Sequence, residues 1–203
     1  TMSLICKDDE TLRRTSVRKL KPLAFNLNLI QQLSELSWLP VDNNVSIAEM
    51  EQAFRSMVRT KRFSRWTDLL LVSVGNAAFC RLFNGDLWAM LTVFAATMLG
   101  FLAKQQLTRL KYNPLGVIIL SAFTASMAAA CAVLFQIGST PQIALATSVL
   151  FLVPGVQMIN SIMDLMHGHI LMGISRGIHS IMMIACIAIG LSATMLIVGV
   201  NSL

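Results

Sequence analysis

"FLVPGVQMINSIMDLMHGHILMGISRG", residues 151–177, lies in the apolar part of the chain, yet a Pro-Gly step is followed within a few turns by Asn160, Asp164, His167, His169 and Arg176. Pro154 has no amide proton and its ring collides with the carbonyl four residues back. A helix entering from Gln142 is therefore expected to kink or break between Leu150 and Pro154, with Gly155 adding flexibility. At about 1.5 Å per residue, Gln142 to Val153 covers roughly 18 Å, which puts the break near the middle of a bilayer. A helix interrupted there presents carbonyls from its first half and amides from its second, and broken-helix amide ends are a known seat for carboxylates. Pro and Gly are also common in membrane helices, where many kinks serve packing alone.

The neighbours sharpen the reading. Asn160, Asp164 and His167 fall at i, i+4 and i+7, one face of the half-helix that starts at the break. An aspartate in a membrane span requires a cavity or a partner, so Asp164 is a candidate for substrate binding and proton coupling. The alternative is that it pairs with Arg176 only to secure the turn between two spans. Pro154, Gly155, Gln157, Asn160, Asp164 and Arg176 form the candidate binding set, and Asp164 with His169 the candidate proton-coupling set, histidine titrating near neutrality. The string D-x-x-H-x-H over Asp164, His167 and His169 resembles a metal-ligand pattern, but no fourth ligand stands nearby in sequence, so no metal and no cofactor is expected.

Outward from this stretch, 55% of the 203 residues are hydrophobic, 13% are charged and mean hydropathy is +0.68, the composition of a membrane protein. Residues 1–68 carry 11 of the 16 Lys/Arg and 8 of the 10 Asp/Glu. That asymmetry divides the chain into a polar N-terminal region, 1–66, and a bilayer domain, 67–203. The basic residues are mixed with acids and lack aromatic interleaving, which argues against nucleic acid and for positive-inside anchoring. Cys6, Cys80, Cys131 and Cys186 are far apart, three of them in apolar spans, and predict no disulfide framework. The thirteen methionines show no paired clustering and read as packing. Thr1 is not an initiator, so the chain is expected to begin inside a domain.

In the polar region, Met2–Lys7 and Thr11–Lys19 read as strands pairing across the acidic turn Asp8–Glu10. Leu29, Leu33 and Leu36 recur at helical spacing up to Pro40, and Ser46 with Glu49 forms a capping box that starts a second helix, ending near the basic run Arg59, Lys61, Arg62 and Arg65. Five spans follow, at about 69–83, 87–103, 114–137, 142–166 and 171–200. The first is short and carries Asn76, suited to bonding across helices, and Arg81, which must snorkel or turn inward. Ser121, Ala125 and Ala129 form a small-residue stripe for close helix approach, and Thr140 is placed to cap the helix opened by Pro141. Basic loops at the N-terminus, at 104–111 and at Arg176 put the N-terminus in the cytoplasm and the C-terminus outside. The predicted fold is an all-α integral membrane protein with five transmembrane helices and a small N-terminal cytoplasmic α/β region.

The run Leu152-Val153-Pro154-Gly155, Ile159-Asn160, Asp164, Gly168-His169, Gly173 and Arg176, with "FCRLFNGD" (79–86), "ALATSVLFLVPG" (144–155) and "TSVRKL" (15–20), resembles the threonine/serine exporter family in its N-terminal-half form. The resemblance implies a five-span subunit in the bacterial inner membrane working with a separately encoded smaller membrane subunit. It also implies export of small carboxylate metabolites: succinate-like dicarboxylates for the two-subunit type, threonine and serine for fused relatives. Gln157-Met158 and Ser161 depart from the family pattern and leave the substrate open. Two other readings stand beside export: a non-transporting accessory subunit that docks a partner, and a metal or ion channel using Asp164, His167 and His169. No phosphate-binding G-x-x-x-x-G-K-[ST] is present for a self-powered pump, and no second aspartate stands near Asp164 as a dyad partner for hydrolysis, so the chain is not read as an enzyme.

Overall fold

The computed structural model of the chain describes residues 2–5, 13–16, 27–43, 47–58 and 64–199. They belong to two separate units, Thr1–Arg62 and Phe63–Leu203. In the first unit, β1 (Met2–Ile5) and β2 (Arg13–Ser16) pair antiparallel, Met2 opposite Ser16 and Ile5 opposite Arg13. The acidic turn between them lies outside the described residues, as do Cys6, Ser46, Arg59, Lys61 and Arg62. Helix α1 (Leu27–Asn43) packs on α2 (Ile47–Val58). The face expected to be apolar is the covered one, for Leu36 is buried and Leu29 and Leu33 are half-buried. Pro40 does not close α1, which runs on to Asn43; its missing amide forfeits one intrahelical bond without ending the helix.

The second unit holds α3 (Arg65–Leu82), α4 (Leu87–Arg109), α5 (Pro114–Leu134), α6 (Pro141–Thr147), a 3₁₀ turn (Leu150–Leu152), α7 (Gly155–Met166) and α8 (Ile170–Val198). Among the described residues, α4, α5 and α8 are long and apolar enough to cross a membrane, and the bent pair from Pro141 to Met166 makes a fourth if it counts as one span. Five spans were expected. Helix α3 does not reach the same length and hydropathy, because Arg65, Asp68, Asn76 and Arg81 dilute its 18 residues. Helix α4 outruns its expected end by several residues, whereas α5 stops at Leu134, short of a turn where Gln136 and Gly138 take positive φ.

Helix α5 is the packing centre. Its Ser121, Ala125 and Ala129 are fully buried, as the small-residue stripe predicts. A Cβ on Gly100 of α4 would stand 2.6 Å from the Ala125 Cβ and 3.1 Å from the Ser121 carbonyl oxygen, so α4 approaches this face as closely as backbone permits. Helix α8 meets the adjoining face, where the Ser126 and Thr194 hydroxyls lie 2.6 Å apart. Buried Cys80 and Cys186 sit in apolar clusters with Ala, Val, Leu and Ile.

At one end of this bundle Asp86 fastens two loops. Its Oδ1 accepts from the Ala89 amide, capping α4, and from the Thr140 hydroxyl, while Oδ2 accepts from the Ser139 amide, all at 2.9 Å. Thr140 precedes α6 as expected but does not cap it; its hydroxyl is taken up by Asp86, which also donates its own amide to it. Arg81 turns back onto the Gly85 carbonyl at 3.1 Å. The Ser139 amide first, then the Ala89 amide, hold the Asp86 carboxyl below its ordinary value of 3.8. A depressed folded-state pKa contributes stability that is present above the unfolded value and lost as pH falls through the folded one. Asp86→Ala is therefore expected to lower the thermal midpoint in detergent by a few degrees at neutral pH. The gap from wild type should close on acidification below the ordinary carboxylate range, and a pH-independent gap would rule the linkage out.

Candidate functional site

The break expected before Pro154 is present. Helix α6 ends at Thr147, the chain passes through the 3₁₀ turn and extended Val153, and α7 leaves at 59° to the first half. The two sets of backbone groups this frees meet different fates. On the carbonyl side, Asn76 of α3 donates its Nδ2 to the Thr147 oxygen at 3.2 Å and more distantly to that of Ser148 at 3.5 Å, and also to Thr97 Oγ1 of α4 at 2.6 Å. One side chain thus ties three segments and satisfies the end of the first half-helix. Asn76→Leu leaves the Thr147 carbonyl without its donor and is expected to destabilise the bundle by about 1–2 kcal/mol, read as a lower unfolding midpoint in detergent.

On the amide side, Gly155 donates to Val153 O at 2.9 Å, and intrahelical bonding resumes with Met158 donating to Pro154 O. The amides of Val156 and Gln157 between them belong to the first turn, which has no intrahelical acceptor to offer. This end of α7 opens on a cavity of about 470 Å³ lined by Val72, Gly75, Asn76, Phe79 and Phe83 of α3 and its following turn, and by Leu150, Phe151, Val153 and Gly155 of the break. The helix dipole and the unfilled amides favour an anion at this position, in a surrounding that is otherwise apolar.

The polar face of α7 runs away from the cavity. Pro154 is buried at the break, the buried Gln157 Oε1 has no hydrogen-bond partner among the described residues, and Asn160 is half-buried. Farther along, Ser161 donates to the Gly173 carbonyl of α8 at 2.7 Å, and Asp164 pairs with Arg176 at 2.6 Å, their side chains 22% and 44% exposed. His167 Nδ1 lies 2.7 Å from the Met163 carbonyl oxygen, and the His169 amide donates to the Asp164 carbonyl where the chain enters α8, both imidazoles being exposed. Gly173 permits the contact, since a Cβ there would stand 2.7 Å from Leu165 Cγ.

Of the expected binding set, Gly155 lies at the cavity with Pro154 next to it in the break. Asp164 and Arg176 come together, but roughly 13 Å of helix separates Asp164 from Gly155. Their pairing is the geometry of the turn-securing alternative. Among the described residues no three His, Cys, Asp or Glu groups converge for a metal ion, and the carboxylate of the D-x-x-H-x-H string is engaged by an arginine. The α3 wall of the cavity was not foreseen. Asn76 was expected to bond across helices, and does, but periodicity carries no signal for which helix stands against the break.

A profile of the family described as "Putative threonine/serine exporter" matches residues 1–198. The "Probable succinate transporter subunit YjjP" of Klebsiella aerogenes is 33% identical over 194 residues, covering 93% of this chain and 73% of that protein. The protein of the same description from Escherichia coli strain K12 is 32% identical over 195 residues, with the same shares. No solved structure matches the chain.

Proposed function

Because the chain belongs to the threonine/serine exporter family, we propose that it is one subunit of a secondary exporter that moves small carboxylate metabolites out across the bacterial inner membrane. The relatives described as succinate transporter subunits favour succinate-like dicarboxylates, with threonine and serine the other candidates. The observation that carries this reading is the broken α6–α7 segment, whose second half opens by its amide end on the cavity beside α3. The substrate carboxylate binds there, between Pro154, Gly155 and Gln157, with Asn160 next along its path. Asp164, with His169 at the adjoining turn, couples export to protons, and Arg176 holds the Asp164 carboxylate when it is charged.

Five crossings fit the proposal, with α3 as the first, the N-terminus in the cytoplasm and the C-terminus outside. Helix α3 lies along α4 end to end: Gln105 donates to the Arg65 carbonyl at 3.3 Å near one end, Asn76 meets Thr97 midway, and the turn Phe83–Asp86 joins them at the other. Its 18 residues span about 27 Å, close to the hydrocarbon thickness. The partner is a smaller membrane subunit that supplies the other half of the exporter.

Reconstitution tests the reading. The full-length chain and its partner, together in vesicles with an imposed pH gradient, are expected to move labelled succinate, threonine or serine, and the pair moving none of them would refute export. The Asp164–Arg176 tie and the exposed Ile159, Ile162 and Met166 of α7 favour a second reading, a docking subunit that does not transport. A partner that transports at full rate without this chain would establish it.

A further inference from the structure

We propose that the cavity at the helix break recognises a small carboxylate bearing one neutral hydrogen-bond donor, a hydroxyl or a protonated second carboxyl, and that Asn76 is the residue that reads the donor. The inference rests on the export reading and adds to it a specificity determinant on α3. The orientation of the Asn76 amide is decided by its neighbours. Thr147 O is a carbonyl and accepts only, so the group facing it at 3.2 Å is the nitrogen, and the same nitrogen reaches Thr97 Oγ1 at 2.6 Å. The amide oxygen is left on the other side. Asn76 is 4% exposed and lines the cavity, and among the described residues no donor reaches its Oδ1. That oxygen is not one of the fully enclosed polar atoms, so it keeps accessible surface and can be reached by a donor on a ligand in the cavity.

The second half of the site is the first turn of α7, where the Val156 and Gln157 amides suit the carboxylate end of the same molecule. The remaining walls, from Val72, Phe79, Phe83, Leu150, Phe151 and Val153, carry no charge. A second carboxylate charge facing Asn76 would be stranded without a counter-ion, whereas the ammonium of an amino acid is offset by its own carboxylate, so the group presented to Asn76 must be neutral and must donate. A dicarboxylic acid meets the requirement with one proton on its distal carboxyl, and a hydroxy acid through its hydroxyl.

Capping the donor with a methyl group separates the two sources. Succinate is compared with monomethyl succinate, and threonine with O-methylthreonine, as competitors of transport and as stabilisers of the purified complex at mildly acidic pH. In at least one pair the methylated member is expected to bind at least about tenfold more weakly, and Asn76→Ala should erase that difference. Because Asn76 also ties α3 to α4 and α6, a second variant avoids it. A Cβ on Gly75 meets nothing within 4 Å, so Gly75→Leu grows into the cavity from an open helical position. It should keep the melting midpoint while weakening every probe more than about tenfold. Transport that ignores methylation in both pairs, or Gly75→Leu binding like wild type, would overturn the proposal and leave export standing, with a lipid chain or a partner helix as the occupant. Failure of all four probes to bind would remove both.

Discussion

Gly190→Leu is expected to prevent the membrane unit from assembling. A Cβ at this position of α8 would lie 2.6 Å from the Ile119 carbonyl oxygen, 2.8 Å from the Ala122 Cβ and 3.0 Å from the Phe123 amide nitrogen. Two of these three atoms are α5 backbone, which cannot rotate away as a side chain can, so the helices must separate. Separation would also pull Thr194 from Ser126 one turn later, removing that bond between the helices and leaving each hydroxyl only the carbonyls of its own helix. Overpacking of this kind costs about 3 kcal/mol or more when the backbone cannot shift, and membrane helices have little hydrophobic drive to offset it. Gly116→Leu is the control, because an added Cβ there meets nothing within 4 Å. Size-exclusion profile and thermal midpoint in detergent should be lost for the first variant and kept for the second. A monodisperse Gly190→Leu protein with a wild-type midpoint would mean that α5 and α8 do not meet in this way.

If Asp164 carries the coupling proton as proposed, Asp164→Asn is expected to lower transport driven by a pH gradient on the order of tenfold or more, since asparagine cannot bind and release a proton. The fold should suffer little. The ion pair with Arg176 is partly exposed, and such pairs contribute about 0–1 kcal/mol. Asparagine also retains an oxygen for the Arg176 guanidinium. A charge exchange, Asp164→Arg with Arg176→Asp, separates coupling from simple attachment. It restores an attractive pair between α7 and α8 but moves the carboxylate to the other helix, so it should recover the melting midpoint and not the proton-driven flux. Full recovery of flux in the exchanged protein would establish the pair as a structural tie and remove Asp164 from the coupling mechanism.

Much of the architecture was legible because it depends on local chemistry. Pro154 followed by Gly155 disfavours continuing the helix that enters from Gln142, and the Ser121, Ala125, Ala129 stripe suits a close neighbour, so both features could be read from the chain alone. The polarity of α7 was read less well. The spacing of Asn160, Asp164 and His167 puts them on one face, but spacing cannot tell whether that face meets a cavity or another helix. In the fold Ser161 and Asp164 meet α8 instead. The role of Thr140 was misjudged for a similar reason: its position before Pro141 suggests a cap, and only the approach of Asp86 from 54 residues away redirects the hydroxyl.

The sequence by itself determined the membrane class, the exporter family, the position of the helix break and the small-residue faces, since each follows from hydropathy, backbone sterics or a contiguous motif. The tertiary structure decided what stands against the break. Asn76 lies 71 residues from Thr147, and only packing brings its amide nitrogen to the orphaned carbonyl and places the residue in the wall of the cavity. That pairing depends on which helix faces are in contact and how closely, a long-range geometric result that no local pattern encodes.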